Sequence, residues 1–569
     1  MALDLDNGTW EMFIDGVATG TIYSRISGTY TFAIGDSMSS GYHTHTANFG
    51  QKPFKFSPPD GFQPLNTANT RPVNVISRPD QYVGIVTYKG TGSAFDIKYN
   101  FDPDFAWVKG LSYNGSNHQF SDTVRNRAAG GNRRLELPTT AAQDAGGPTF
   151  IYRGFNVGTN AALNTANEGY IAYAWKAGGN KNTFNIDDVG YATAAAVNMS
   201  VGSLTTSEYN QTQNWTNNIA SATNISSGHE ARLFNGILYG TNADIQSTQG
   251  SSGVITFTTP ITGSKIEIYT LGNVGEIGVN GFDLPISAYT WTDTGVTKLT
   301  SVSTRHPGAG SIQNLIAIRV DGKMLVDSGI TLNAPSIAPT GCSVGTKQGF
   351  SIIQYTGTGN SYDTIPHGLT QAPNFALFKN LSQSGDDWII YHSGIGATKR
   401  LKLNTTDQAD SQGDQFNNTD PTSNVFTIGT YDNINKDGDS YIAYMWHDVP
   451  GLQKFGVYKG SDTGSGPGLY TPTGFQPGFI IVKKHDGADG GVLFDTARAK
   501  FNPGRTQMRP QENSADTAEY DSFAFNYLQN GFESPGPSGQ VNELDKNYVY
   551  MAWADFSSVD LYGGGANAR

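Results

Sequence analysis

The stretch DSYIAYMW, Asp439 to Trp446, sets six apolar or aromatic side chains in succession. A half-buried strand alternates apolar with polar residues, so an unbroken run of this kind needs cover on both faces. The phrase stands twice more: EGYIAYAW ends at Trp175 and KNYVYMAW ends at Trp553. A strand that demands two-sided cover, copied three times, points to a repeated unit in which loops or neighbouring units supply part of that cover.

Three further landmarks recur with it. A tyrosine strand runs into a glycine turn at Tyr88 (IVTYKGTG), Tyr355 (IIQYTGTG) and Tyr458 (FGVYKGS). Next comes a proline and an apolar strand ending in lysine: Pro103 to Lys109, Pro373 to Lys379 and Pro477 to Lys483. Proline is tolerated there because the first strand position can do without an N–H. Beyond the lysine lie Asp122-Thr-Val-Arg125 in copy one and Asp495-Thr-Ala-Arg498 in copy three, whereas copy two has Tyr391-His392. From tyrosine to tryptophan the copies span 87, 91 and 95 residues. The recurring tryptophans are expected in the core, where a large ring contributes most. Only 12 residues separate Trp446 from Tyr458, so copies two and three are expected to pack as a rigid pair.

Composition agrees with an all-β chain. The 569 residues exceed what one core organises, since single cores stop growing at roughly 250–300 residues. Polarity comes from Asn, Ser, Thr and 69 glycines more than from charge, and Tyr, Phe, Thr and Val favour strands. Helical periodicity is essentially missing. A net charge of −12 and the lack of basic clusters argue against nucleic acid as a partner. The single cysteine, Cys342, excludes a disulfide within the chain and a four-cysteine zinc site. The N-terminus carries no signal-peptide pattern, and no apolar run reaches the roughly 20 residues of a membrane span.

The expected organisation is tandem β-sandwich modules: 1–75, 76–203 (copy one), 204–335, 342–452 (copy two), 453–558 (copy three) and a tail at 559–569. Residues 204–335 differ from the repeats. Alternation in TFTTPITGSKIEIYT and a hairpin at Asp321-Gly322 mark an inserted β-sandwich, and the proline-rich Asn333–Gly341 reads as a boundary.

Residues 1–67 resemble the C-terminal half of a SPRY domain, a concanavalin-like sandwich. The marks are the hairpin at Leu5–Gly8, the Asn48-Phe-Gly-Gln51 step and Pro58-Pro-Asp-Gly-Phe62. The whole arrangement is similar to virion proteins of tailed bacteriophages, marine ones especially. It carries their YTGTG, APNFALFKN, WIIYH, PTSNVFTIGT and YIAYMW phrases between Gln81 and Trp175 and between Gly349 and Phe556. Copy one departs from the pattern at Arg133-Arg134 and a Gly/Ala-rich stretch. The resemblance implies a fibre, appendage or decoration protein of the virion, assembled in the bacterial cytoplasm, often concerned with host recognition. It brings no established binding residues.

No catalytic constellation emerges. His43 and His45 alternate on one strand face but make two ligands, not a site, and His392, His447 and His485 are scattered through the repeats. DNINKDGDSY, 432–441, lacks the ligand spacing of a calcium loop and reads as a polar turn. The expectation is a non-enzymatic virion protein with no cofactor and no metal. Its partners would be other virion proteins, further copies of itself (a trimer) and a host-surface glycan, with Tyr209 and Trp215 the first loop residues to inspect. Two alternatives stand: a purely architectural decoration subunit, and a polysaccharide-degrading tailspike, which needs only two carboxylates about 5–10 Å apart.

Overall fold

The repeated strand solves its cover problem by alternation. In Gly169–Trp175, the residues Tyr170, Ala172 and Ala174 face one core and Ile171, Tyr173 and Trp175 face another. Ser440–Trp446 and Asn547–Trp553 divide in the same way. One face packs within its own module. The other faces of all three strands share a single core.

In this computed structural model the described residues are 2–4, 9–15, 17–24, 48, 55–56 and 75–556, less 113–114, 129–131, 195, 198–208, 237–244, 246–251, 272–274, 287–290, 305–313, 329–334, 412, 462–467, 517–523 and 555. The architecture is almost entirely β. The chain divides into two units, Met1–Val75 and Ile76–Arg569. In the first, Ala2–Asp4, Thr9–Ile14 and Val17–Ser24 form an antiparallel meander. The Leu5–Gly8 and Pro58–Phe62 phrases, His43 and His45 lie outside the described residues, as does all of Asn48–Gln51 except Asn48.

In each module of the second unit the tryptophan strand, last in sequence, is central in space. It pairs antiparallel with the tyrosine strand on one side and the lysine strand on the other, and an outer strand follows the lysine strand. The tyrosine strands are Val83–Lys89, Phe350–Thr356 and Gln453–Lys459, and the lysine strands are Phe105–Gly110, Phe375–Asn380 and Phe479–Lys484. The outer strands are His118–Asp122, Ile389–His392 and Val492–Asp495. A small second sheet closes each sandwich.

The tyrosine–glycine motif acquires a physical cause. Tyr88, Tyr355 and Tyr458 stack on Tyr170, Tyr441 and Tyr548 with centroids 5.0, 5.3 and 5.0 Å apart. Each donates its hydroxyl to a backbone carbonyl, that of Leu163, Ile434 or Val541. The glycine two positions on (Gly90, Gly357, Gly460) sits so close to a neighbouring backbone carbonyl that a Cβ would come within 2.1–2.4 Å of its oxygen. An asparagine 11 positions before each tryptophan (Asn164, Asn435, Asn542) caps the following turn by accepting from the backbone N–H of Thr91, Thr358 or Ser461.

Residues 209–326 build two five-stranded sheets around their own core. Asp321 and Gly322 both take positive φ at the hairpin between Asn314–Val320 and Lys323–Leu325, which suits its tight turn. The segments flanking this sandwich, Phe184–Ile186 and Gly341–Gly345, lie side by side as paired parallel strands, so the insert leaves and rejoins the repeat at one place. Ile337, within the proline-rich boundary stretch, is buried and donates its N–H to Thr364.

Candidate functional site

The three modules meet where their tryptophans end. Trp175, Trp446 and Trp553 touch pairwise, with centroids 6.5, 5.5 and 5.9 Å apart and interplanar angles of 68–74°. Edge-to-face contact sets the positive rim of one ring against the negative face of the next. All three are buried, and their indole N–H groups have no hydrogen-bond acceptor among the described residues. The expectation of a rigid pair of copies two and three is thus too narrow: copy one joins them on equal terms, because its inner face needs the same cover.

The contacts between modules run in one direction and close a ring. Lys379 of module 2 donates to the Thr140 carbonyl of module 1, Lys483 of module 3 to Thr405 of module 2, and Lys109 of module 1 to Ser514 of module 3. Each lysine also donates to a carbonyl of its own module, that of Asp386, Asp489 or Gly110. Burial pulls all three ammonium groups down to about 8. A second set of joints follows the same order. Tyr444 of module 2 donates to Asp122 of module 1 at 2.7 Å, and Tyr173 of module 1 donates to Asp495 of module 3 at 2.7 Å. Asp122 and Asp495 pair with Arg125 and Arg498 at 2.5 and 2.6 Å, and all four side chains are buried. Burial works against the arginine charges, but the adjacent aspartates outweigh it and hold both above their ordinary range.

The odd landmark of copy two now has a reason. In register, His392 occupies the place of Asp122 and Asp495. The residue it meets comes from module 3, where Met551 replaces Tyr173 and Tyr444. With no hydroxyl to receive, a carboxylate would be stranded there. The His392 Nε2 instead faces the Tyr550 carbonyl at 3.2 Å, and burial lowers the imidazole to about 4.

The other candidates fall apart in space. His447 and His485 lie in separate modules, with His447 Nδ1 against the Asp448 carbonyl. Asp432–Asn435 is a short helical turn, and no cluster of three metal-binding side chains occurs among the described residues. Trp215 is half-buried against Phe234 in the inserted sandwich and donates its indole N–H to the Asn210 carbonyl. Tyr209 lies on the short strand Tyr209–Asn210.

Among the described residues, open surface remains beside the first repeat. Val83–Lys89 is the terminal strand of its sheet. It is flanked by two grooves of about 620 and 570 Å³. The first lies between Ile85, Val86 and Thr87 of module 1 and Thr496, Ala497, Lys500 and Phe501 of module 3. The second is lined by Gly84, Tyr99, Tyr152 and Arg153 among others.

These features define a class: an all-β protein in which three repeats close into a ring within one chain. The chain belongs to the DUF7483 family, a domain of unknown function, whose match covers residues 78–202 and 328–556 and skips the inserted sandwich. No curated protein matches the chain. Among solved structures it is similar to a cupin 2 conserved barrel domain protein from Leptotrichia buccalis, 14% identical over 40% of this chain and 97% of that one. The TM-score of 0.11 is too low to inform the fold.

Proposed function

We propose that the protein is a non-enzymatic structural protein of a tailed-phage virion, a tail-fibre or appendage subunit that presents its modules toward a host-surface glycan. The observation that carries this reading is the closed three-module ring. The buried Lys109, Lys379, Lys483, Asp122, Arg125, Asp495, Arg498 and His392 are engaged at joints between modules, which is what a rigid scaffold requires. A body with threefold pseudosymmetry fits a symmetric attachment site, as oligomeric assemblies do. The phage phrases in the repeats support the same reading, and presentation of several copies would raise effective concentration at a cell surface.

Immunogold labelling with antibody to residues 76–556 tests it on intact virions of the phage that encodes the chain. Label on the particle surface is expected. Label confined to infected-cell lysate, with none on particles, overturns the reading. Binding of fluorescent protein to host cells, lost when surface glycan is stripped, separates host recognition from a purely architectural role.

A further inference from the structure

We infer that the outer edge of Val83–Lys89 is a docking site for an extended segment of another protein, which adds to the sheet as one more strand. The internal symmetry of the ring carries the inference, and it stands whether or not the chain belongs to a virion. In module 2 the same edge is already filled. Gly341–Gly345 pairs antiparallel with Phe350–Thr356, setting Gly341, Cys342 and Ser343 opposite Gln354, Ile353 and Ile352. That strand also packs on the short helix Thr123–Ala128 of module 1, so it fills the notch between two modules.

The equivalents of those pairing residues in module 1 are Thr87, Val86 and Ile85, and the equivalent of the helix start is Thr496-Ala497. These residues line the 620 Å³ groove. Ile352 and Ile353 are fully buried beneath their added strand, whereas Ile85 and Val86 are only half-buried and Phe501 on the rim is 79% exposed. The described residues just upstream of Val83 do not fill the place: Ile76 turns into the shared core and donates its N–H to Pro450. In module 3 the equivalent strand, Gln453–Lys459, also ends its sheet and its Val457 is 48% exposed, but a loop of module 2 encroaches on the notch. Gly394 approaches Val457 so closely that a Cβ there would lie 2.3 Å from the valine methyl.

The seated strand states the chemistry of the occupant. Cys342 and Val344 enter the module core, while Gly341 lies against Val124, where a Cβ would come within 2.9 Å. Ala497 replaces Val124 at the open notch, so that position tolerates alanine or serine as well as glycine. The partner segment is therefore an extended one with small side chains at alternate positions and compact apolar ones between. Main-chain hydrogen bonds supply affinity and the alternate pockets supply specificity, as in other strand-addition interfaces.

The test uses the full chain and a fluorescein-labelled peptide of residues 340–347 carrying Cys342→Val. Anisotropy should show saturable binding with one peptide per chain. Ala497→Trp, which fills the notch, should weaken it at least tenfold. Phe501→Glu should also weaken it, and at an exposed rim position it leaves folding intact. No saturable binding up to millimolar peptide overturns the inference, as does binding that both variants leave unchanged. A concentration-dependent dimer that Ala497→Trp dissolves would instead assign the edge to a second copy, and equally overturns it.

Discussion

At two of the three joints the outer strand ends in a buried ion pair, and at the third it does not. At Tyr444–Asp122–Arg125 and Tyr173–Asp495–Arg498 a phenol, a carboxylate and a guanidinium are buried together. At His392–Tyr550 a neutral imidazole meets a carbonyl. The shape of the interface is the same, so the difference teaches what the charges do. They do not make the ring close, because the neutral joint closes equally well. They distinguish one joint from another: an Asp–Arg pair needs a tyrosine opposite, and Met551 cannot serve. Modules joined in the wrong order would leave a buried carboxylate short of a donor, which is costly.

Truncating one partner should break the equivalence most sharply. Asp122→Ala leaves the buried Arg125 without a carboxylate and should lower stability by about 3–5 kcal/mol in urea unfolding, whereas Asp495→Ala, which leaves Arg498 its second partner Asp516 at 2.8 Å, should cost less. His392→Ala at the neutral joint should cost about 1–3 kcal/mol, and equal losses at all three joints would erase the distinction.

The lysine contacts, alike in all three joints, give a pH signature. Each ammonium titrates near 8 in the folded chain and near 10.5 when unfolded, so the unfolded state holds more protons between those values. Stability should therefore rise as pH climbs from 8 toward 10, until ionisation of tyrosines opposes it. Replacing Lys483 with Met should flatten that slope by roughly 1 kcal/mol per pH unit. An unchanged slope in a thermal-melt series would show that this lysine does not titrate between the two states.

Tyr444→Phe keeps the ring and removes only the hydroxyl that Asp122 receives, at about 0.5–1.5 kcal/mol. Met551→Leu, a similar volume at the neutral joint, should cost less than about 1.5 kcal/mol. At the far end of the scale, Lys459→Ala breaks a pair with Asp545 whose side chains are 58% and 74% exposed, and should move the unfolding midpoint hardly at all.

Much of a single module was legible in the sequence. The unbroken apolar run of YIAYMW demanded two covers, and the tyrosine, lysine and tryptophan landmarks all proved to be adjoining strands of one sheet. The ring was not legible. Three similar phrases specify similar faces, and a row of modules and a closed circle bury them by the same pattern until Tyr173 is seen to reach Asp495. The recurring Asp-Thr-x-Arg marked a position but gave no hint that its partner lay in another copy. One clue is present: each apolar strand ends in lysine, and a lysine at the end of a fully buried strand needs carbonyls brought to it from elsewhere. The asparagine 11 residues before each tryptophan is equally regular.

The direction of the contacts also sets an order on synthesis. Modules 1 and 2 can join as soon as Tyr444 emerges, but Tyr173 waits for Asp495, 322 residues later. At roughly 5–20 residues per second, a ribosome leaves that face of module 1 uncovered for about 15–65 s. For that interval the nascent chain holds an open apolar surface with the shape of its own missing module. Another nascent chain carries the same surface and the same missing piece, so dense polysomes would favour exchange of third modules between neighbours.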